Sequence, residues 1–527
     1  MPEQKRLEEQ PKASRPAVNE MTRIPVSRRV LRWRRFGQRC YLRFCLETAF
    51  LLALYGGYGW SQPLVITRVT VIDATGRGPA PNMTVTVDGD RIVAVGPWKK
   101  MPIPKNAVVV DGAGKFLIPG LWDMHAHGAA DEHAAWTHLL FLGNGVVGVR
   151  DMFGPPDAHA WRTARVSKED PSPAIYLGSP LVDGPNPRWP HSIVVTSEAQ
   201  GREVVEQQQQ RGADFIKVYD NLSRGAYFAI ADEAKKRGIP FEGHVPKSVT
   251  AAEVSAAGQK SIEHLTGVAL GCTKEELTIS AELQRQEALF HAPNATMSQK
   301  MDSGKRMTAL YLRVVETYDD AQAQSLFTGF VKNGTWQCPT LTLLRAYVGD
   351  PLPANDPRVT YLSKELRAEF DAGFYQHFPA EARAWTVSLR KKEFDESMKI
   401  VGLMYRMGVP MLAGTDALNP HCFPGFSIHD ELALLVDAGL PPLAALQAAT
   451  RNAAQFMGQL DRRGTIEPGK IADLVLLDKD PLADIHNTRT IQAVVLNGKL
   501  FPRAALDGML TKEQMLAGRE NDGVTRK

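Results

Sequence analysis

The sequence predicts an α/β protein: a (β/α)8 TIM barrel with a small β-sandwich domain built from the N- and C-terminal segments. Eight short apolar segments alternate with helical stretches in the middle of the chain, which is the pattern of such a barrel. Short strands of period-two alternation, broken by Gly, Asp and Pro turns, flank that middle on both sides. We therefore expect a leader over residues 1–61, a discontinuous β-sandwich over 62–118 and 464–510, and the barrel over 119–463.

The leader is strongly basic and ends in a short apolar run. Residues 1–47 carry twelve Lys and Arg against five acidic residues, a charge of +7, whereas the remainder of the chain carries −3. A basic segment followed by the apolar run TAFLLALYGGYGW, residues 48–60, is typical of a secretory signal peptide. The run is shorter than the ~20 residues of a membrane span. We expect export to the periplasm or the outside, with cleavage after Ser61; the alternative is a retained anchor, in which only the leader contacts a membrane.

Charge and cysteine content narrow the class of function. The slightly acidic body gives no reason to expect nucleic-acid binding. The five cysteines show no C-x-x-C spacing, which argues against a disulfide framework and against a cysteine-ligated metal. We expect unpaired thiols and a small-molecule partner, and a homo-oligomer stays open.

The predicted barrel strands place polar residues at their C-terminal ends, where the loops of a TIM barrel build the active site. In chain order they are GLWDMHAH (120–127), VVGVRDM (146–152), AIYLGSP (174–180), DFIKVYD (214–220), PFEGHVP (240–246), SIEHLTG (261–267), WQCPTLTLL (336–344) and PMLAGTD (410–416). Longer helical insertions are expected near 272–330 and 350–400, after the sixth and seventh strands.

The first barrel strand ends in His125-Ala126-His127. Two histidines at positions i and i+2 of a strand point to the same face. Imidazole is a common ligand of zinc and similar ions. The pair therefore predicts two metal ligands, with incidental polar residues as the alternative.

Lys217 lies among apolar residues in the fourth strand, Phe215-Ile216-Lys217-Val218-Tyr219. Burying a lysine is costly unless its charge is neutralised or paired. One solution is a buried salt bridge. The other is carboxylation by CO2, which gives an anionic carbamate able to bridge two metal ions.

His244, His264 and Asp416 each stand near the end of a predicted strand. Considered alone, each histidine is best interpreted as a hydrogen-bonded core residue, and the aspartate is best interpreted as a turn residue or a helix cap. Two histidines on adjacent strands after an H-x-H strand favour a metal site instead. A carboxylate such as Asp416 suits both metal ligation and proton transfer.

The order of these residues along the barrel resembles the amidohydrolase superfamily with a binuclear metal centre. That order is H-x-H on strand one, Lys on strand four, His on strands five and six, and Asp on strand eight. Three further motifs agree with it: GKFLIPGLWDMHAHG, TRNAAQFMG and GTIEPGKIADLVLLDKDPLADI. The last is similar to the C-terminal part of imidazolonepropionase-like amidohydrolases, and the resemblance covers residues 63–502.

The resemblance implies a site with two divalent metal ions, zinc in the first instance and iron, manganese or cobalt otherwise. His125 and His127 are expected to bind the more buried ion, and His244 and His264 the outer one. Carboxylated Lys217 is expected to bridge both ions, and Asp416 to complete the inner site. This ligand set is similar to that of prolidase-like Xaa-Pro and Xaa-Arg dipeptidases and of ochratoxin-hydrolysing enzymes.

These features predict hydrolysis of a C–N amide bond in a dipeptide or an N-acyl amino acid. A metal-bridging hydroxide is the expected nucleophile, with Asp416 accepting its proton and passing it to the leaving amine. Tyr219 points the same way as Lys217 and is a catalytic and substrate-binding candidate. Arg188 and His191, in the loop after the third strand, are candidates for binding a substrate carboxylate.

Other residues receive weaker expectations. Trp189, Tyr347 and His421 are candidates for lining the pocket. The remaining histidines are expected to be structural or surface residues: His133, His138, His159, His291, His377, His429 and His486.

Two alternatives stay open. The same site could hydrolyse a cyclic amide or imidazolone, or deaminate a base; the family's mononuclear imidazolonepropionases and cytosine deaminases lack the strand-four lysine, which favours peptide-like amides here. A non-catalytic binding protein on the same barrel is the second alternative. Such a protein is expected to have lost metal ligands, whereas all six positions are filled in this sequence.

Overall fold

Five strands open the described part of the chain. The computed structural model describes residues 62–166, 171–349, 352–353, 355–375 and 379–521, so the predicted leader lies outside the described residues. The strands are β1 (Leu64–Val71), β2 (Ala80–Asp88), β3 (Arg91–Pro97), β4 (Val108–Asp111) and β5 (Phe116–Pro119). β1 pairs antiparallel with β2 and parallel with β4 and β5.

Parallel strands dominate the middle of the chain. They are β6 (Leu121–Ala126), β7 (Val146–Asp151), β8 (Ala174–Leu177), β9 (Val182–Asp183), β10 (Ile193–Val194), β11 (Ile216–Val218), β12 (Phe241–Gly243), β13 (Ser261–Glu263) and β14 (Trp336–Cys338). β6, β7 and β8 form a three-stranded sheet, and the others form a six-stranded sheet in the order β10-β9-β11-β12-β13-β14. Every residue of β6 and β7 is buried, as expected for parallel strands covered on both faces.

Isolated parallel bridges connect these two sheets at both edges. They join Gly178 to Phe215, Gln337 to Met411, and Ala126 to Ala417. The segment 410–416, predicted as the eighth strand, therefore lies between β14 and β6, although it carries bridges rather than a continuous ladder. Through these bridges the parallel segments follow one another from β6 through β8, then β11 through β14, to the segment 410–416. The prediction of a mixed α/β chain is confirmed.

The seventh predicted strand is shorter than expected. Only Trp336–Cys338 is extended, and Leu341–Ala346 is a helix. Thr340 precedes that helix with φ 47°, a left-handed conformation that turns the chain sharply out of the strand. The two-residue strands β9 and β10 were not predicted, because two residues are too few for an alternation to show.

Helices cover the parallel strands. Their bounds are Ala134–Gly143, Ala158–Val166, Glu198–Gln210, Arg224–Arg237, Ala251–Ala257, Val268–Gly271, Glu276–Phe290, Met297–Glu316, Asp320–Asn333, Leu341–Ala346, Lys364–Ala372, Ala380–Arg406, Ser427–Asp437, Pro442–Ala448 and Arg451–Phe456. Local sequence explains several ends: Ser197, Ser223 and Thr250 accept backbone N–H bonds as N-caps, and Gly238 ends a helix at φ 68°. Three of the helices form the insertion predicted near 272–330. None of the helices described here is long and apolar enough to cross a membrane.

The C-terminal segment returns to the N-terminal strands. It contains β15 (Leu474–Leu477), β16 (Ile491–Leu496), β17 (Lys499–Pro502) and a final helix, Arg503–Asn521. β15 pairs antiparallel with β5, so both ends of the body share one eight-stranded sheet in the order β17-β16-β15-β5-β1-β2-β3, with β4 on β1. The domain bounds 62–118, 119–463 and 464–510 stay a prediction.

Candidate metal centre

Strand β6 carries His125 and His127 to the end of the parallel sheet. His125 is 1% exposed and the His127 side chain is 26% exposed, so the pair leads from the interior to the opening of the site. The carbonyl of His125 accepts the backbone N–H of Asp416 at 2.7 Å. That bond ties the predicted first strand to the end of the eighth segment.

The close approach of these two segments depends on Gly414. A Cβ atom at this position would lie 2.6 Å from the backbone nitrogen of His125 and 2.6 Å from Sγ of Cys338. Both distances are shorter than any real Cβ contact, so only glycine lets the eighth segment pass here. Asp416 follows with φ 59°, a strained conformation that costs about 1–3 kcal/mol and is common at functional sites.

Two histidine nitrogens and one carboxylate oxygen converge at the centre of the cluster. The Nε2 atom of His125 lies 3.3 Å from Oδ1 of Asp416, and Nε2 of His127 lies 2.9 Å from the same oxygen. The ligand atoms of His125, His264 and Asp416 all lie within 4.8 Å of one another. The structure therefore brings together three of the predicted ligands within reach of one ion, with His127 beside them.

The protonation of His125 shows why these atoms suit a cation. Burial, followed by the charge of Lys217, lowers the pKa of His125 well below its usual value, so its ring is neutral. Its Nδ1 donates to Oε2 of Glu263 at 2.7 Å, which leaves a lone pair on Nε2. Nε2 of His125 has no hydrogen-bond partner among the described residues, and Oδ1 of Asp416 faces the ring nitrogens of both His125 and His127. The lone pair on His125 Nε2 and the carboxylate oxygen repel each other unless a cation lies between them, so the donor set fits a divalent ion.

The histidines of strands five and six complete the cluster. The ring centroids of His125 and His264 lie 4.4 Å apart, and those of His264 and His244 lie 4.9 Å apart. Nδ1 of His264 shares a hydrogen bond with the Thr340 hydroxyl, and Nδ1 of His244 donates to Asp220, each at 2.7 Å. With Nδ1 occupied, the Nε2 atom of each ring is the one able to bind a metal.

Lys217 is buried at the side of the cluster, with 1% exposure. Burial lowers the pKa of Lys217 to about 8, although the charges of Glu263 and Asp416 act in the opposite direction. Among the described residues, no carboxylate lies within ion-pair distance of its amine. The buried salt bridge considered as the alternative is therefore not formed by this part of the chain.

Asp416 is ionised in this surrounding. Burial alone would raise the pKa of Asp416, but the charge of His264, the contact with His127 and the charge of Lys217 lower it to about 2. An ionised carboxylate is what both a metal ligand and a general base require.

A buried charge network lies behind His125, and the sequence did not reveal it. Arg150, fully buried in β7, binds Oε2 of Glu242 and Oε2 of Glu263, each at 2.8 Å. The Ser261 hydroxyl donates to the other oxygen of Glu263. Glu263 is thereby held in place to receive the Nδ1 proton of His125, and Asp220 does the same for His244. Metal-binding histidines commonly donate to such carboxylates. Glu263 directly precedes the predicted ligand His264 in the sequence, which was the available signal, whereas Asp220 lies 24 residues before His244.

Tyr219 lies beside the outer histidines. Its ring centroid is 4.1 Å from that of His244, and its hydroxyl accepts a hydrogen bond from Trp189 Nε1 at 2.9 Å. The guanidinium of Arg188 lies 5.7 Å from the centroid of the Trp189 ring. These contacts place Tyr219, Trp189 and Arg188 at the mouth of the cluster.

The other substrate-binding candidates are placed less directly. His191 is exposed on a turn with φ 65°, and within the described residues no hydrogen bond, ion pair or ring contact joins it to the cluster. Nε2 of His421 contacts the Phe370 carbonyl at 3.1 Å, a packing role. The binding roles of Arg188, His191 and Tyr219 stay predictions.

The remaining histidines lie away from the cluster. His138 and His429 are buried and bonded to backbone carbonyls of Ala129 and Asn144, as structural histidines are. His159, His291 and His486 are exposed and His133 is partly exposed, whereas His377 lies outside the described residues. Three cysteines, Cys272, Cys338 and Cys422, are buried and free, as expected.

Comparison with known sequences gives a consistent picture over part of the chain. Residues 390–501 match the model of the amidohydrolase family. The chain is 34% identical over 111 residues to an imidazolonepropionase of Thermoplasma volcanium, covering 20% of this chain and 27% of that protein. It is 32% identical over 120 residues to an adenine deaminase of Methanothrix thermoacetophila, covering 23% of this chain and 19% of that protein. The matches thus span about a quarter or less of these relatives.

Solved structures share the fold over nearly the whole described chain. Bottromycin amidohydrolase superposes with a TM-score of 0.66 at 24% identity, covering 87% of this chain and 92% of that one. A Xaa-Pro dipeptidase superposes with a TM-score of 0.59 at 18% identity, covering 84% of this chain and 100% of that one. Residues 390–501 thus carry the match to the amidohydrolase family, the curated relatives match short parts of the chain, and the solved amidohydrolase and dipeptidase structures share its fold.

Proposed function

We propose that the chain is a metal-dependent hydrolase that cleaves the C–N amide bond of a dipeptide or an N-acyl amino acid. The observation that carries this proposal is the convergence of His125, His264 and Asp416 on one point, where Nε2 of His125, which has no hydrogen-bond partner among the described residues, lies 3.3 Å from Oδ1 of Asp416. The match of residues 390–501 to the amidohydrolase family supports C–N bond hydrolysis in general. The dipeptide-like substrate and the mechanism are the parts proposed here.

The proposal includes a closed (β/α)8 barrel. The order of the parallel segments supports it, and so does the likeness to solved amidohydrolases. In such a barrel the active site lies at the C-terminal ends of the strands. His127, His244, His264 and Asp416 all stand at or just beyond those ends.

Six residues would hold two divalent ions, zinc in the first instance: His125, His127, Lys217, His244, His264 and Asp416. When bound, such ions acidify water and polarise the carbonyl of an amide. Lys217 would bridge them as a carbamate, formed when its neutral amine attacks CO2, an N–C bond forms and the nitrogen loses a proton. Its burial without a carboxylate in ion-pair contact, among the described residues, supports this modification.

The chain's own groups would supply positioning and proton transfer. Asp416, ionised by its surroundings, would accept a proton from the attacking water and donate it to the nitrogen of the leaving amine. Because the Tyr219 hydroxyl accepts from Trp189, its own proton is available to a substrate carbonyl. Arg188, on the same loop as Trp189, would bind a substrate carboxylate.

A second function has specific support. The curated matches include imidazolonepropionases and adenine deaminases, which favours hydrolysis of a cyclic amide or deamination of a base. The position of Lys217 in strand β11 beside the cluster is what ranks peptide-like amides first. A non-catalytic binding protein is ranked last, since none of the six positions is lost.

A substrate screen tests the ranking. Zinc-loaded protein is assayed against dipeptides, N-acyl amino acids, imidazolone propionate and adenine, with Asp416→Asn as the inactive control. We expect turnover of dipeptides or N-acyl amino acids that Asp416→Asn abolishes. Turnover of only cyclic amides or aminated bases would reverse the ranking, and no turnover of any compound would refute the proposal.

Export is also proposed, and N-terminal sequencing tests it. The protein recovered from a periplasmic or culture fraction is expected to begin just after Ser61. Recovery of an intact leader in the membrane fraction would instead support an anchor, and an intact leader in the cytosol would contradict export.

A further inference from the structure

A cavity of about 340 Å³ opens beside His264 and Asp220. Its floor is formed by the segments that follow β12 and β13. Its walls are the insertion helices Glu276–Phe290 and Met297–Glu316 together with helix Ala380–Arg406. The cavity therefore begins at the candidate metal centre and extends into the part of the chain inserted after the sixth strand.

The charges in the cavity wall neutralise one another. Lys247 pairs with Glu287 at 2.5 Å, Arg390 pairs with Glu393 at 2.8 Å, and Glu396 pairs with Lys399 at 3.1 Å. Asp220 is bonded to His244. A charged ligand group entering the cavity would therefore meet pairs that are already formed and would have to compete with them for a partner.

Apolar and aromatic side chains make up much of the remaining wall. They include Leu283, Tyr311, Val315, Leu344, Tyr347 and Phe394. Tyr347 also lies under the Arg390 guanidinium, 5.5 Å from its ring centroid, which holds the aromatic face in place. Such a wall favours an uncharged, largely apolar ligand group, and the volume lies within the ~300–1,000 Å³ range of small-molecule sites.

We propose that this cavity binds a bulky, uncharged apolar or aromatic group of the substrate, adjacent to the amide bond that is cleaved. The inference rests on the proposed amide hydrolysis and narrows its substrates to amides of large apolar or aromatic residues. A substrate with glycine at this position would leave the cavity unfilled, and a substrate with a charged side chain would disturb the ion pairs of the cavity wall.

The test compares N-acetyl-L-tryptophan with N-acetylglycine on zinc-loaded protein. Val315→Trp and Leu283→Trp fill the cavity from two different helices. Both positions are partly exposed, so the protein can accommodate a larger side chain there without unfolding. Val331→Trp, on the 44% exposed position of another helix, is the matched control outside the cavity. We expect the wild type to favour the tryptophan compound at least about tenfold in kcat/KM, and each filled variant to reduce that ratio about tenfold or more.

A ratio near one in the wild type, or a ratio unchanged in both filled variants, would overturn the inference. Binding of N-acetyl-L-tryptophan, followed by calorimetric titration, separates the two proposals if neither compound is cleaved. Binding that Val315→Trp or Leu283→Trp weakens, and Val331→Trp does not, would uphold the cavity while amide hydrolysis failed. Absence of binding would reject the cavity.

Discussion

The Nε2 atom of His125 and the Oδ1 atom of Asp416 face each other across 3.3 Å without forming a hydrogen bond. Their residues are 291 positions apart in the sequence, yet the backbone N–H of Asp416 bonds directly to the His125 carbonyl. The imidazole rings of His127 and His264 and the buried side chain of Lys217 lie next to this pair. The predictions below test what holds the pair in place and what it binds.

Glu263→Gln is expected to weaken metal binding about 10- to 100-fold. Glu263 accepts the Nδ1 proton of His125, and a glutamine amide no longer fixes the ring as firmly. Chelator competition measures the dissociation constant. Glu242→Gln is the matched control, because Glu242 binds Arg150 but contacts none of the clustered histidines. Equal effects of the two variants would show that the network acts on the fold alone.

Arg150→Met is expected to lower the free energy of unfolding by about 3–5 kcal/mol, because it removes the buried cation of Glu263 and leaves Glu242 with only Lys260 at 3.9 Å. Denaturant unfolding measures the change. Arg224→Ala removes an exposed partner of Glu253 and should leave the free energy of unfolding nearly unchanged. A loss at position 150 as small as that of the control would contradict the network's role.

Gly414→Ala is expected to destabilise the fold by about 1–3 kcal/mol and to reduce metal content. The added methyl group meets the backbone of His125 and the sulfur of Cys338, so the eighth segment must move away from β6. Gly329→Ala, in a helix with open space around it, should be neutral or slightly stabilising. Full metal content and unchanged stability in Gly414→Ala would argue against the close approach.

Glu431→Gln tests how a buried carboxyl group changes the free energy of unfolding with pH. Burial raises the pKa of Glu431 to about 7, although bonds from Leu341 and Thr342 act against that rise. The folded state therefore holds a proton that the unfolded state releases near pH 4.5, so this group's contribution to stability falls as pH rises from about 4.5 to 7. We expect the stability of the wild type to fall relative to Glu431→Gln over that range in unfolding experiments. Parallel pH profiles would contradict the assignment.

The cluster could be predicted from the sequence because each of its residues stands at the same place, at the end of a predicted strand. His125, His244, His264 and Asp416 each follow a short apolar strand, and parallel strands bring such ends together. The neighbours that hold these residues were harder to foresee. Glu263 and Arg150 are 113 residues apart in the sequence. The sequence around a charged residue in a strand does not indicate which distant residue pairs with it. The helix after Thr340 was missed because apolar residues at Leu341, Leu343 and Leu344 also fit a strand.

The most direct test of the account is the metal content of the purified protein, measured with 13C NMR of protein exchanged with labelled bicarbonate. We expect about two divalent ions per chain and a carbamate signal, with both reduced in Lys217→Ala and metal binding largely lost in His125→Ala. A chain that binds no divalent ion and shows the same activity after Lys217→Ala would contradict the central claim.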